Sequence, residues 1–104
     1  MGGLSCGEVS LIGWEILKNN TNDFITISDD NVRSAMRLMA KGVCEDPSIE
    51  AGESAVAGIA MLMELENFKK IKSKLNIDES SRILLFGTEG ATDQNMYDQI
   101  VIGN

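Results

Sequence analysis

The 104-residue chain has no histidine, one proline (Pro47), two cysteines and five aromatic residues, Trp14, Phe24, Phe68, Phe86 and Tyr97. Each shortage excludes something. Without histidine the usual zinc ligand sets and the Ser-His and Cys-His nucleophile pairs are gone. Cys6 and Cys44 match no metal or redox spacing, and two cysteines alone make no metal site. A reducing compartment, where thiols stay free, fits them. Basic residues are scarce: 9 Lys and Arg face 16 Asp and Glu, a net charge of −7. Nucleic acid and anionic membrane surfaces both need a basic footprint, so neither is an expected partner. No apolar run approaches a membrane span, and the basic segment and apolar core of a signal peptide are missing from the start of the chain. A cytoplasmic setting is the expectation. There is no internal repeat and no low-complexity linker.

What is present is ordinary globular composition, 43% hydrophobic and 24% charged, in a length that suits a single domain over residues 1–104. Leu11, Ile12, Trp14 and Ile16 recur at helical spacing over residues 8–18, and the run from Asn19 to Asp23 stops that helix. Phe24-Ile25-Thr26-Ile27 is aromatic and β-branched, the composition of a short strand. Ser28 or Asp29 can cap the next helix. Its face is Val32, Ala35, Met36 and Met39, at i, i+3, i+4 and i+7, and Gly42 ends it. Residues 55–63 are apolar on every side, the mark of a helix buried all round. Phe68, Ile71 and Leu75 define an amphipathic helix with lysines on its wet face. Ile83-Leu84-Leu85-Phe86 is a continuous apolar run of the buried, parallel-sheet kind. Thr92 or Asp93 can cap a last helix through Met96 and Ile100. The methionines at 36, 39, 61, 63 and 96 are most simply core filler.

Strands separated by helices predict an α/β domain with two short parallel strands, near residues 24–27 and 82–87, and about five helices. Two strands are few, and the sequence reads like a slice of a larger fold.

Three blocks carry a resemblance: residues 3–17 (GLSCGEVSLIGWEIL), 46–58 (DPSIEAGESAVAG) and 81–101 (SRILLFGTEGATDQNMYDQIV). In that order and spacing they resemble the C-terminal part of the diaminopropionate ammonia-lyases, a family of fold-type II pyridoxal-phosphate enzymes. The resemblance covers essentially the whole chain. It implies elimination of ammonia from 2,3-diaminopropionate to give pyruvate, with pyridoxal phosphate as electron sink. It also implies that the Schiff-base lysine and the phosphate loop lie upstream of the matched blocks. Phe68-Lys69 is not that lysine's motif, since Lys70-Ile71 follows it on an amphipathic helix. No catalytic residue and no metal ligand is therefore assigned.

The resemblance further implies remnants of a cofactor site. Gly3 and Leu4 belong to a loop that passes under the cofactor. Glu53, in Gly52-Glu53-Ser54, lies beside the ring at a helix start, where it also suits the helix dipole while Ser54 can cap. Gly87 and Thr88 stand at the strand end that faces the ring nitrogen. The family's text there is Phe-Ser-Thr-Glu-Gly-Asp-Thr-Asp, so Gly87 replaces a serine hydroxyl. Val9, Ala55 and Ala91 are departures too, Ala55 replacing a glycine. Cys6 reads as a packed thiol, with nothing basic nearby in sequence to activate it.

The expectation is a chain that binds no cofactor alone and is inactive alone. A homodimer or larger assembly would cover its apolar surface, and a separately encoded N-terminal part of the enzyme is a further candidate partner. Met1 falls where relatives often carry an internal methionine. The alternative function is a non-catalytic interaction or oligomerisation module.

Overall fold

The computed structural model describes residues 2–103. A short 3₁₀ turn, Gly2–Leu4, precedes five helices: α1 Leu11–Asn20, α2 Val32–Lys41, α3 Ala57–Leu65, α4 Lys69–Lys74 and α5 Gln94–Val101. α2 is the hub, packed against both α3 and α5, and α4 packs only on α3.

Local chemistry explains the ends. α1 starts at Leu11, later than the periodicity alone suggests, because the Ser10 hydroxyl accepts the Gly13 N–H at 3.2 Å, supplying one of the acceptors that a helix start lacks. At its far end the Asn20 side chain donates to the Ile16 carbonyl at 2.7 Å. α2 stops at Gly42, whose φ of +76° suits only glycine. Its start is not capped by Ser28 or Asp29. Asn31 occupies the cap position without a side-chain bond there, and the Ser28 hydroxyl instead donates to Asp30 at 2.9 Å. Asp93 does cap α5, accepting the Met96 N–H at 3.0 Å. The other end of α5 is tied by Arg37 of α2, which donates to the Ile100 carbonyl at 2.7 Å and the Gly103 carbonyl at 3.3 Å.

The core is small. Val32, Ala35 and Met36 of α2 meet Ala51, Val56, Ala60 and Ile100, with Ile27, Met39, Ile59, Met63 and Tyr97 packed around them. α3 is therefore not buried all round: Ala60 and Leu65 are buried, and the rest is half-covered. Cys6 is not packed. It and Cys44 are free and exposed, Cys6 on a loop that no other element covers.

The two strands do not form. Among the described residues none is paired as a strand, and the structure is helical. Residues 24–27 and 82–88 are extended in pattern, yet their backbones make no hydrogen bond to any described neighbour. The side chains still alternate. Leu85 packs on Gly58 and Gly87 on Ala55, while Leu84 and Phe86 are 77% and 83% exposed. Strand character is a matter of pairing, and a segment with strand composition remains single when nothing lies alongside.

Openness follows. The chain exposes 8302 Å², where a compact monomer of 11.3 kDa exposes roughly 5,700 Å². Its radius of gyration is 15.0 Å, against about 13 Å for a compact domain of this length. α1 is attached chiefly by the Trp14 ring, 6.2 Å from that of Phe24, and leaves Leu11, Ile12 and Ile16 in solvent.

Candidate functional site

Two loops meet beside α2. The first, residues 50–54, leads into α3; the second, residues 89–92, leads into α5. Glu89 joins them twice, its carbonyl accepting the Gly52 N–H at 3.0 Å and its carboxylate the Ser54 N–H at 2.7 Å. In return the Glu50 carboxylate accepts the Ala91 N–H at 3.3 Å. Gly52 must be glycine because a Cβ there would run into the Gly90 carbonyl and lie 2.8 Å from the Glu89 side chain. Gly3 closes a third side, its Cβ direction pointing at the Ser54 Oγ, 2.7 Å away.

The junction encloses a cavity of about 170 Å³, lined by Gly2, Gly3, Gly52, Glu53, Ser54, Glu89 and Gly90 with Met36, Met96 and Tyr97 behind. The Ser54 hydroxyl is buried there without a hydrogen-bond partner. It does not cap α3, which begins three residues later behind Val56. The Tyr97 phenol is held above its ordinary pKa, first by burial and then by the Glu50 and Asp98 carboxylates. Neutral phenol is therefore the form at ordinary pH.

Of the five residues singled out from sequence, the fold brings Gly3 and Glu53 to this one cavity. Leu4 lies next door, on a larger apolar cavity of about 530 Å³ with Ile25, Ile27, Gly58 and Met61. Gly87 and Thr88 line neither. Glu89 and Tyr97 were missed as site residues. An acid between a threonine and a glycine in a turn was the only local sign of Glu89. Among the described residues, no group of three or more Cys, Asp or Glu side chains could hold a metal ion, and no helix is long and apolar enough to cross a membrane.

Two of the sequence departures face each other. A Cβ on Gly87 would sit 3.3 Å from the Ala55 carbonyl oxygen and 3.4 Å from the Ala55 Cβ. The family's pair, glycine and serine, has become alanine and glycine, so the methyl has changed sides. Gly87→Ser is therefore expected to destabilise the chain by about 1 kcal/mol, at the lower end of overpacking costs. Adding Ala55→Gly should recover most of that loss. Urea midpoints of the four members of the cycle test this, and additive effects would disprove the coupling.

This geometry, with its loop-bounded cavity beside a helix start, is that of a segment of a fold-type II pyridoxal-phosphate enzyme. The superposition names the enzyme. The chain matches Escherichia coli diaminopropionate ammonia lyase in complex with an aminoacrylate–PLP azomethine reaction intermediate, at a TM-score of 0.88 and 34% identity over 97% of this chain. It matches the complex of that enzyme with D-serine at 0.87 and 34%, again over 97%. In sequence it is 37% identical to diaminopropionate ammonia-lyase of Salmonella typhimurium, over 97% of the chain and 26% of the relative, and 35% identical to that of Escherichia coli K12. The chain is a homologue of the C-terminal part of diaminopropionate ammonia-lyase. It spans about a quarter of the length of these relatives. No protein-family model matches it.

Proposed function

We propose that these residues form the C-terminal part of a pyridoxal-phosphate-dependent lyase that eliminates ammonia from 2,3-diaminopropionate, and that by themselves they are inactive. The observation that carries the reading is the likeness over 97% of the chain to an enzyme solved with an aminoacrylate–PLP intermediate.

The residues present do not fit the cofactor on their own. The cavity at Gly3 and Glu53, about 170 Å³, is smaller than the roughly 300–1,000 Å³ of ordinary ligand sites. It presents the carboxylates of Glu53 and Glu89 and no lysine or arginine, the wrong charge for a phosphate dianion. The net charge of −7 adds a second repulsion. In this reading Gly3, Leu4, Glu53, Gly87 and Thr88 supply part of one wall, and the Schiff-base lysine and phosphate loop belong to upstream residues.

The test is a pyridoxal-phosphate titration with an ammonia assay on diaminopropionate, against a no-protein control containing the same cofactor. No saturable single-site binding and no ammonia above control are expected. Release by the 104 residues alone would overturn the reading.

A second reading, a non-catalytic oligomerisation module, draws on the exposed apolar side chains of α1 and of the two extended segments. Even within the first reading that surface drives self-association, so light scattering at tens of micromolar should report a dimer or larger species. A stable monomer would contradict this.

A further inference from the structure

We infer that residues 24–27 and 82–88 are docking edges that become strands only when an extended segment of the upstream part of a lyase pairs with their backbones. The identity of that partner rests on the reading above; the edges themselves rest on the observations that follow.

Both segments have strand composition, and 82–88 alternates its side chains as a strand does, with Leu85 and Gly87 inward on Gly58 and Ala55 and Leu84 and Phe86 outward. Neither makes a backbone hydrogen bond to any described residue. A row of unpaired amides and carbonyls is a template for strand addition. Beside the first segment lies the apolar cavity of about 530 Å³, walled by Ile25, Ile27, Ala57, Gly58 and Met61. Its lining suits the inward side chains of a strand laid against residues 24–27.

The occupant follows from area and charge. The surface of 8302 Å² exceeds that of a compact monomer by on the order of 2,500 Å². A standard interface takes only about 800 Å² from each partner. A second copy would have to bury an unusually large share of itself while bringing −7 against −7. The relatives, by contrast, carry about three quarters of their length beyond the matched region. A partner of that size can cover both edges at once, whether it is joined to these residues or separate.

The experiment follows amide hydrogen exchange of the 104-residue chain, alone below its self-association range and mixed with excess upstream three quarters of the Salmonella typhimurium relative as a separate polypeptide. The relative's own last quarter serves as the control for a competent upstream piece. Amides at 24–27 and 83–88 should exchange freely in the chain alone and become protected in a one-to-one complex. Ile83→Pro and Leu84→Pro remove donors from opposite edges. At least one should weaken capture roughly tenfold with the helical signal of the free chain unchanged, and Leu84→Ala should not.

A complex without protection of these amides overturns the inference, and ammonia release by that complex with added cofactor would leave the lyase reading standing. Protection without ammonia release does the reverse. Failure of a competent upstream piece to capture the chain, or self-association that persists in its excess, overturns the inference as well.

Discussion

Gly52→Ala is expected to separate the two loops of the candidate site and to destabilise the chain by about 2–5 kcal/mol, the range for breaking a buried, fully packed junction. The methyl has no room: it would meet the Gly90 carbonyl and the Cγ and Oε2 of Glu89, the latter two at 2.8 Å. Only the Glu89 side chain could swing aside. Doing so would break its bond to the Ser54 N–H, and backing off the Gly90 carbonyl would stretch the one from Gly52 to the Glu89 carbonyl. Each amide stranded out of water adds about 1–3 kcal/mol. Gly52 is not among the positive-φ glycines, so the cost is crowding and not backbone strain. The check is a urea midpoint combined with exchange of the Gly52 and Ser54 amides, which should be slow in the parent and fast in the variant. An unchanged midpoint would show that the loops are not held by this junction.

Met36→Ala is expected to cost about 2–5 kcal/mol, as for other large-to-small changes in a core. Met36 is 2% exposed and is one of the two largest fully buried side chains of the described residues, with Val56. It stands on the helix that contacts both α3 and α5, so the space it vacates lies where all three helices meet. A domain of this length has a stability of about 5–15 kcal/mol, and one with so much surface belongs at the low end. The variant should therefore lose its cooperative thermal transition, read by far-ultraviolet circular dichroism. Met96→Ala, at a half-exposed site on α5, should stay within about 0.5 kcal/mol. Equal effects of the two would mean that the buried cluster around α2 is not what holds the fold.

How much of this could be read from the sequence depends on the range of the interaction. The α2 face was visible because 3.6-residue periodicity is local: Val32, Ala35 and Met36 are the buried residues of that helix. Gly42 and Asp93 were visible because a positive φ and a cap need particular residue types. Helix starts were less so. Ser10 moved the start of α1, and α3 begins at Ala57 because residues 52–55 are taken up by the turn against Glu89. The strands failed for a different reason. Composition foretold the alternation at Leu84 to Gly87 but could not supply a neighbour for it. The site was half legible. Gly3 and Glu53 did converge on one cavity, whereas the contribution of Glu89 stayed hidden because its acceptors reach backbone amides 35 or more positions away, where no side-chain pattern betrays them.

The facing of Ala55 and Gly87 has a consequence for the paths by which such sequences can change. The combination of alanine at 55 with a side chain at 87 is the crowded one, and glycine at both positions is merely loose. A lineage passing between the family's pair and the present pair crosses most easily through the double-glycine intermediate, losing the hydroxyl before gaining the methyl. Travelling back requires the reverse order. A scan of single substitutions would record position 87 as intolerant of serine, when what is intolerant is the background it was scanned in.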